Sequence, residues 1–97
     1  MNKNEQEVRK EAVALKYDKT KQNAPQIVAK GKGLIAEEIL ERANEHHIPV
    51  HEDGSLVELL GKLNINEQIP EELYQAVAEV FAFIYKADQE VGGKNNI

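Results

Sequence analysis

Cysteine is absent from this 97-residue chain, which excludes a disulfide framework, a thiol nucleophile and a thiolate metal site. Tryptophan is missing too, and two phenylalanines and three tyrosines supply all the aromatic bulk. Positive charge is in deficit, with 12 Lys and Arg against 17 Asp and Glu and a net charge of -5. That balance argues against a general nucleic-acid or anionic-membrane binder, which gathers cations to replace phosphate counterions. No apolar run approaches the roughly 20 residues that span a bilayer, and the opening MNKNEQEVRKE is too polar for a secretory signal. A soluble, cytoplasmic chain is therefore expected. What is present, 41% hydrophobic and 30% charged residues, suits one domain with a single modest core and no room for a large catalytic cleft.

Residues 1–11 carry one apolar side chain beyond the first Met, Val8, and bury too little to offset the entropy of ordering them. They are expected to form a flexible arm, with the domain over 12–88 and a fraying tail over 89–97. From Ala12 the run AVALKY puts Val13, Leu15 and Tyr17 on one strand face and Ala12 and Ala14 on the other. Small residues there suit a sheet whose second face is closely covered. A polar loop ending at Pro25 leads to a second, antiparallel strand over 26–29, which Lys30-Gly31-Lys32-Gly33 then breaks. Leu34, Ile35, Ile39, Leu40 and Ala43 recur at helical spacing to about His46. Ile48-Pro49-Val50 is short and β-like, so a right-handed crossover to a parallel neighbour is expected. Ser55 followed by Glu58 has the form of a capping box opening a short helix with Leu56, Val57, Leu59, Leu60 and Leu63. Pro70 fits the first position of a last helix that runs to about Asp88, with Glu71 and Glu72 against its N-terminal dipole. The expected architecture is α/β, a small mixed sheet of about three strands flanked by three helices in a single domain.

Chemistry is sparse in this pattern. His46, His47 and His51, with Glu45, Glu52 and Asp53, form the one cluster resembling a metal or acid–base site. Adjacent histidines on a helix point about 100° apart, however, unlike the i, i+4 pair that shares a metal. No metal and no cofactor is expected. Lys30-Gly31-Lys32-Gly33 between a strand and a helix invites comparison with a phosphate cradle, but it lacks the phosphate-loop spacing. Gly31 and Gly33 are more simply a turn that needs positive φ. Ser55, the sole serine, is accounted for as a cap rather than a nucleophile. No enzyme is expected, and what remains is a surface for a protein partner. Ala24-Pro25 at the end of the polar loop is a short apolar pair that costs little to expose. The last helix carries two adjoining apolar stripes, Leu73, Val77, Val80 and Ile84 beside Tyr74, Ala78, Phe81 and Tyr85, more than one interface requires.

Two segments, AVALKYDKTKQNAPQIVAKG over 12–31 and QIPEELYQAVAEV over 68–80, resemble signature stretches of the cytoplasmic domain of the FlhB/EscU/SpaS family of type III export switch proteins. In that family an Asn-Pro-Thr-His tetrad one residue before the AVAL strand cuts its own backbone after the Asn. Here the matching positions read Glu7, Val8, Arg9 and Lys10. The resemblance, which runs from about Ala12 to Lys86, implies the family's scaffold without its self-cleavage, a free-standing counterpart of the downstream product. It also implies an apolar patch for export substrates, carried over residue by residue as Ala24, Pro25, Ala78 and Phe81, the last being Phe where the family usually has Leu. The expected partners are flagellar export substrates and export-gate proteins, met at the cytoplasmic face of the export apparatus without membrane insertion or nucleic acid. The family's strand before the tetrad has no good equivalent in residues 1–11, so an exposed sheet edge, open to self-association, is expected. Two other readings stay open: a general protein-interaction module unrelated to export, and a small nucleotide- or anion-binding protein using Lys30 to Gly33.

Overall fold

The computed structural model describes residues 10–95 apart from 19 and 22, and from residue 87 onward only the course of the last helix. Glu7, Val8 and Arg9 lie outside the described residues. Strand β1 (Glu11–Lys16) pairs antiparallel with β2 (Gln26–Lys32), in a register that sets Ala12 opposite Gly31 and Ala14 opposite Ala29, with a bulge between Ala14 and Leu15. The Gly33 amide donates to the Lys10 carbonyl at 2.9 Å, extending the ladder by one bond. Lys10 is exposed, and Glu11 belongs to the sheet rather than to the arm expected over 1–11.

The small-residue face of this hairpin is closely covered, as the alanine pattern predicts. Helix α1 (Leu34–Glu45) buries Ala36 against it, and a Cβ built on Gly31 would overlap the Ile35 side chain. Gly31 is thus a strand residue whose missing side chain admits the helix, not part of a positive-φ turn. Only Gly33 turns that way, at φ 63°, and the strand runs to Lys32 instead of breaking at Lys30. Leu34, 82% exposed, and Ile35 lie mostly outside the buried stripe. The helix closes on His47, which takes φ 58° while its amide donates to the Asn44 carbonyl and that of Ile48 donates to the Ala43 carbonyl. These two bonds define a Schellman motif with histidine at the left-handed position usually held by glycine.

The expected third strand over residues 48–50 does not form among the described residues, and the sheet is antiparallel with two strands rather than mixed with three. Pro49 lacks the amide that a ladder needs. The free edge of β2 is taken instead by residues 64–69. Ile27 donates to the Glu67 carbonyl at 2.9 Å, Asn66 donates to the Ile27 carbonyl at 2.6 Å, and Ile69 donates to the Pro25 carbonyl at 2.9 Å. No described residue pairs with the outer edge of β1. Helix α2 (Gly54–Leu60) is capped by Asp53, whose carboxylate accepts from the Leu56 amide at 3.1 Å, and not by Ser55. Asp53 is the last extended residue before the helix, so its side chain faces the orphan amides, while Ser55 is already helical. Pro70 likewise stands just outside a 3-10 turn, Glu71–Leu73, that leads into helix α3 (Tyr74–Asn95). That helix is longer than its periodicity suggests, since no proline or cap stops it at Asp88. Ala24, Ile27, Leu56, Leu60, Ile69 and Val77 form the core, with Val13, Leu15, Leu63, Leu73, Val80 and Phe81 packed around it.

Candidate partner-binding groove

Helix α3 begins beside the end of the β1–β2 loop, and its residues 74, 77, 78 and 81 fall at i, i+3, i+4 and i+7, one stripe of a helix. That stripe and the loop enclose an open groove of about 190 Å³. Ala24 and Val77, each 1% exposed, and Ile69 make its floor. Tyr17, Asn23, Tyr74, Ala78 and Phe81 make the rest of its lining, together with Pro25. Ala24, Pro25, Ala78 and Phe81 therefore meet on one concave apolar surface. Their exposure differs from expectation. Ala24 and Pro25 are buried, because the loop is drawn inward by the bond from the Ile69 amide to the Pro25 carbonyl. Phe81 is half-buried against the core, and Ala78 is the exposed member of the four. Tyr17, Ile69 and Val77 were not singled out by sequence as site residues. Val77 falls in the adjoining apolar stripe, Ile69 carries no reading of its own, and Tyr17 reads as an ordinary strand residue.

The loop that carries the wall is organised at Asp18. Its carboxylate accepts from the Thr20 hydroxyl at 2.6 Å and from the Thr20 amide at 3.0 Å, and its carbonyl accepts from the Lys21 amide. The side-chain bond, then the backbone bond and the Lys16 charge, hold the Asp18 carboxyl below its ordinary 3.8 against a small opposing desolvation. At neutral pH the turn is built on an ionised acid.

Elsewhere the candidate residues have structural duties. His46 and His47 form the exposed end of α1, and the His51 ring packs edge-on to Phe83 with centroids 5.3 Å apart. Among the described residues no group of three potential metal ligands comes together. The Lys30 ammonium donates to the Gly61 carbonyl at 3.0 Å and the Leu63 carbonyl at 2.7 Å. It satisfies the carbonyl of the residue that caps α2 and one in the turn just beyond it, and does not project from a loop.

The sequence model of the FlhB HrpN YscU SpaS family matches residues 9–84. This chain belongs to that family. It is 48% identical over 85 residues to the uncharacterised protein YlqH of Bacillus subtilis, covering 88% of this chain and 91% of that one. To the flagellar biosynthetic protein FlhB of Salmonella typhimurium it is 47% identical over 76 residues, 77% of this chain but only 20% of FlhB. This member of the FlhB family thus spans about a fifth of that relative's length. Among solved structures, the cytoplasmic domain of FlhB from Shewanella putrefaciens superposes with a TM-score of 0.81 at 36% identity, over 86% of this chain and 65% of that one. A mutated EscU C-terminal domain superposes with a TM-score of 0.75 at 26% identity, over 79% and 94%. The likeness is to the cytoplasmic part of FlhB, and among the described residues no helix is long and apolar enough to cross a membrane.

Proposed function

We propose that this FlhB-family chain is a non-catalytic component or modulator of flagellar type III protein export, working at the cytoplasmic face of the export apparatus. Its groove receives an apolar segment of an export substrate or of an export-gate subunit. The observation that carries this reading is the convergence of Ala24 and Pro25 with Ala78 and Phe81 on one concave surface. Among the described residues the lining holds no carboxylate, imidazole or amine, which supports binding by apolar contact rather than an acid–base step. With Glu7 to Lys10 where the family's self-cutting tetrad stands, the proposed role calls for no scission at that position.

Phosphate or nucleotide binding is the weaker reading, because Lys30 is committed to two carbonyls and Gly31 to the sheet. A groove of about 190 Å³ is also smaller than the roughly 300–1,000 Å³ of small-molecule sites. Affinity capture from flagellated cells tests the proposal. The wild-type chain is expected to recover hook or filament substrates or export-gate proteins. Ala78→Lys, which sets an unpaired charge at the groove without touching the core, is expected to recover about tenfold less at an unchanged unfolding midpoint. Recovery of neither class, or equal recovery by the variant, contradicts the proposal. Clients unrelated to export would assign the groove to a general interaction module.

A further inference from the structure

The groove has a buried floor, two rings on a helix and one ring outside any helix. Ala24, Ile69 and Val77 are buried in the core, and the rings of Tyr74 and Phe81 stand on a helix, where neighbouring turns restrict χ1. Tyr17 differs from both groups. It follows the last residue of β1, outside any helix, and is 42% exposed. Its backbone is held on one side by the Lys16–Gln26 pair of the ladder and on the other by the Asp18–Thr20 turn. Its ring lies over that of Phe81 with planes 10° apart and centroids separated by 6.2 Å. That separation falls toward the loose end of the roughly 4.5–7 Å seen for aromatic pairs, so the rings overlap only in part.

We propose that Tyr17 is a shutter that sets which side chains the groove admits. Stacked on Phe81, it covers the Phe81 face; rotated about its own χ1 toward solvent, it uncovers that face to an incoming apolar or aromatic side chain. The occupant takes the place of the tyrosine ring, so small apolar side chains enter beside Tyr17 while ring-sized ones must displace it. The fixed backbone on both sides makes this a side-chain motion that leaves the hairpin in place. The inference rests on the groove being the binding surface, and it adds which residue selects the occupant.

Amide and methyl NMR on the intact protein, titrated with a blocked phenylalanine amide as probe, tests it. Signals of Ala78 and Phe81 are followed in wild type, Tyr17→Phe and Tyr17→Ala. A shutter that is open about a tenth of the time weakens apparent affinity about tenfold, so Tyr17→Ala is expected to bind the probe about that much more tightly. Tyr17→Phe keeps the ring and is expected to match wild type. A merely structural role would lower the unfolding midpoint of Tyr17→Ala and leave probe affinity unchanged or weaker. Equal binding by all three proteins at Ala78 and Phe81 overturns the shutter while leaving the groove as a binding surface. Shifts at neither residue in any of them overturn both.

Discussion

Truncating Ile27 to alanine is expected to lower the unfolding free energy by about 2–5 kcal/mol. Ile27 is 0% exposed and sits where β2, helix α2, the 64–69 segment and helix α3 converge. Its side chain belongs to the buried cluster that these elements share, and its backbone holds the 64–69 segment through two hydrogen bonds. The loss combines the transfer of the removed carbons with a cavity that neighbours from four separate elements cannot close together. For a domain of this size, with a total stability of about 5–15 kcal/mol, that is a large share. Urea denaturation measures it, with Leu59→Ala as the control, since Leu59 is exposed on helix α2. The control is expected to shift the midpoint far less. Equal losses at both positions would mean that the core is not centred on β2.

Replacing Lys30 with methionine is the second large effect, at about 1.5–3 kcal/mol for lost hydrogen bonds to a charged group. Methionine keeps the aliphatic stem and removes the ammonium, leaving the Gly61 and Leu63 carbonyls without their donor in a partly buried site. Those carbonyls end α2 and begin the segment that pairs with β2 and delivers Ile69 to the groove floor. A phosphate-binding lysine would behave in the opposite way. Its removal would leave stability in plain buffer unchanged or improved, and inorganic phosphate would raise the midpoint of the wild type alone. Paired urea melts of both proteins, with and without phosphate, separate the two roles.

Much of this fold is legible in the residues, and the parts that are not share a physical cause. The hairpin, the first helix and the last helix announce themselves by period, and the small face of β1 correctly implies a closely packed cover. Ile48-Pro49-Val50 has strand composition, yet it forms no ladder. The segment that does bond to β2, Asn64-Ile65-Asn66-Glu67-Gln68, is polar and reads as a loop. Edge pairing there depends on backbone groups brought together by tertiary packing, and side-chain composition carries little trace of it. The same limit applied to Lys30 and Gly31, whose local pattern suggested a turn while their partners lie some thirty residues on, at Gly61 and Leu63, or across the sheet. Asp53 and Ser55 both had capping chemistry, and the choice fell on the residue that is still extended. The four groove residues came from likeness to the FlhB family rather than from periodicity. Their burial and the part played by Tyr17 needed coordinates, because sequence shows that Phe81 is apolar but not that a ring from β1's end lies across it.

Contact at the groove itself is the central claim, and a photo-reactive phenylalanine analogue placed at position 78 of the intact chain tests it most directly. In flagellated cells, illumination is expected to join the protein to an export substrate or an export-gate subunit, with the adduct lost when the same analogue is moved to the exposed Glu58 on helix α2. Adducts formed equally from both positions, or only with proteins outside the export apparatus, would contradict the account.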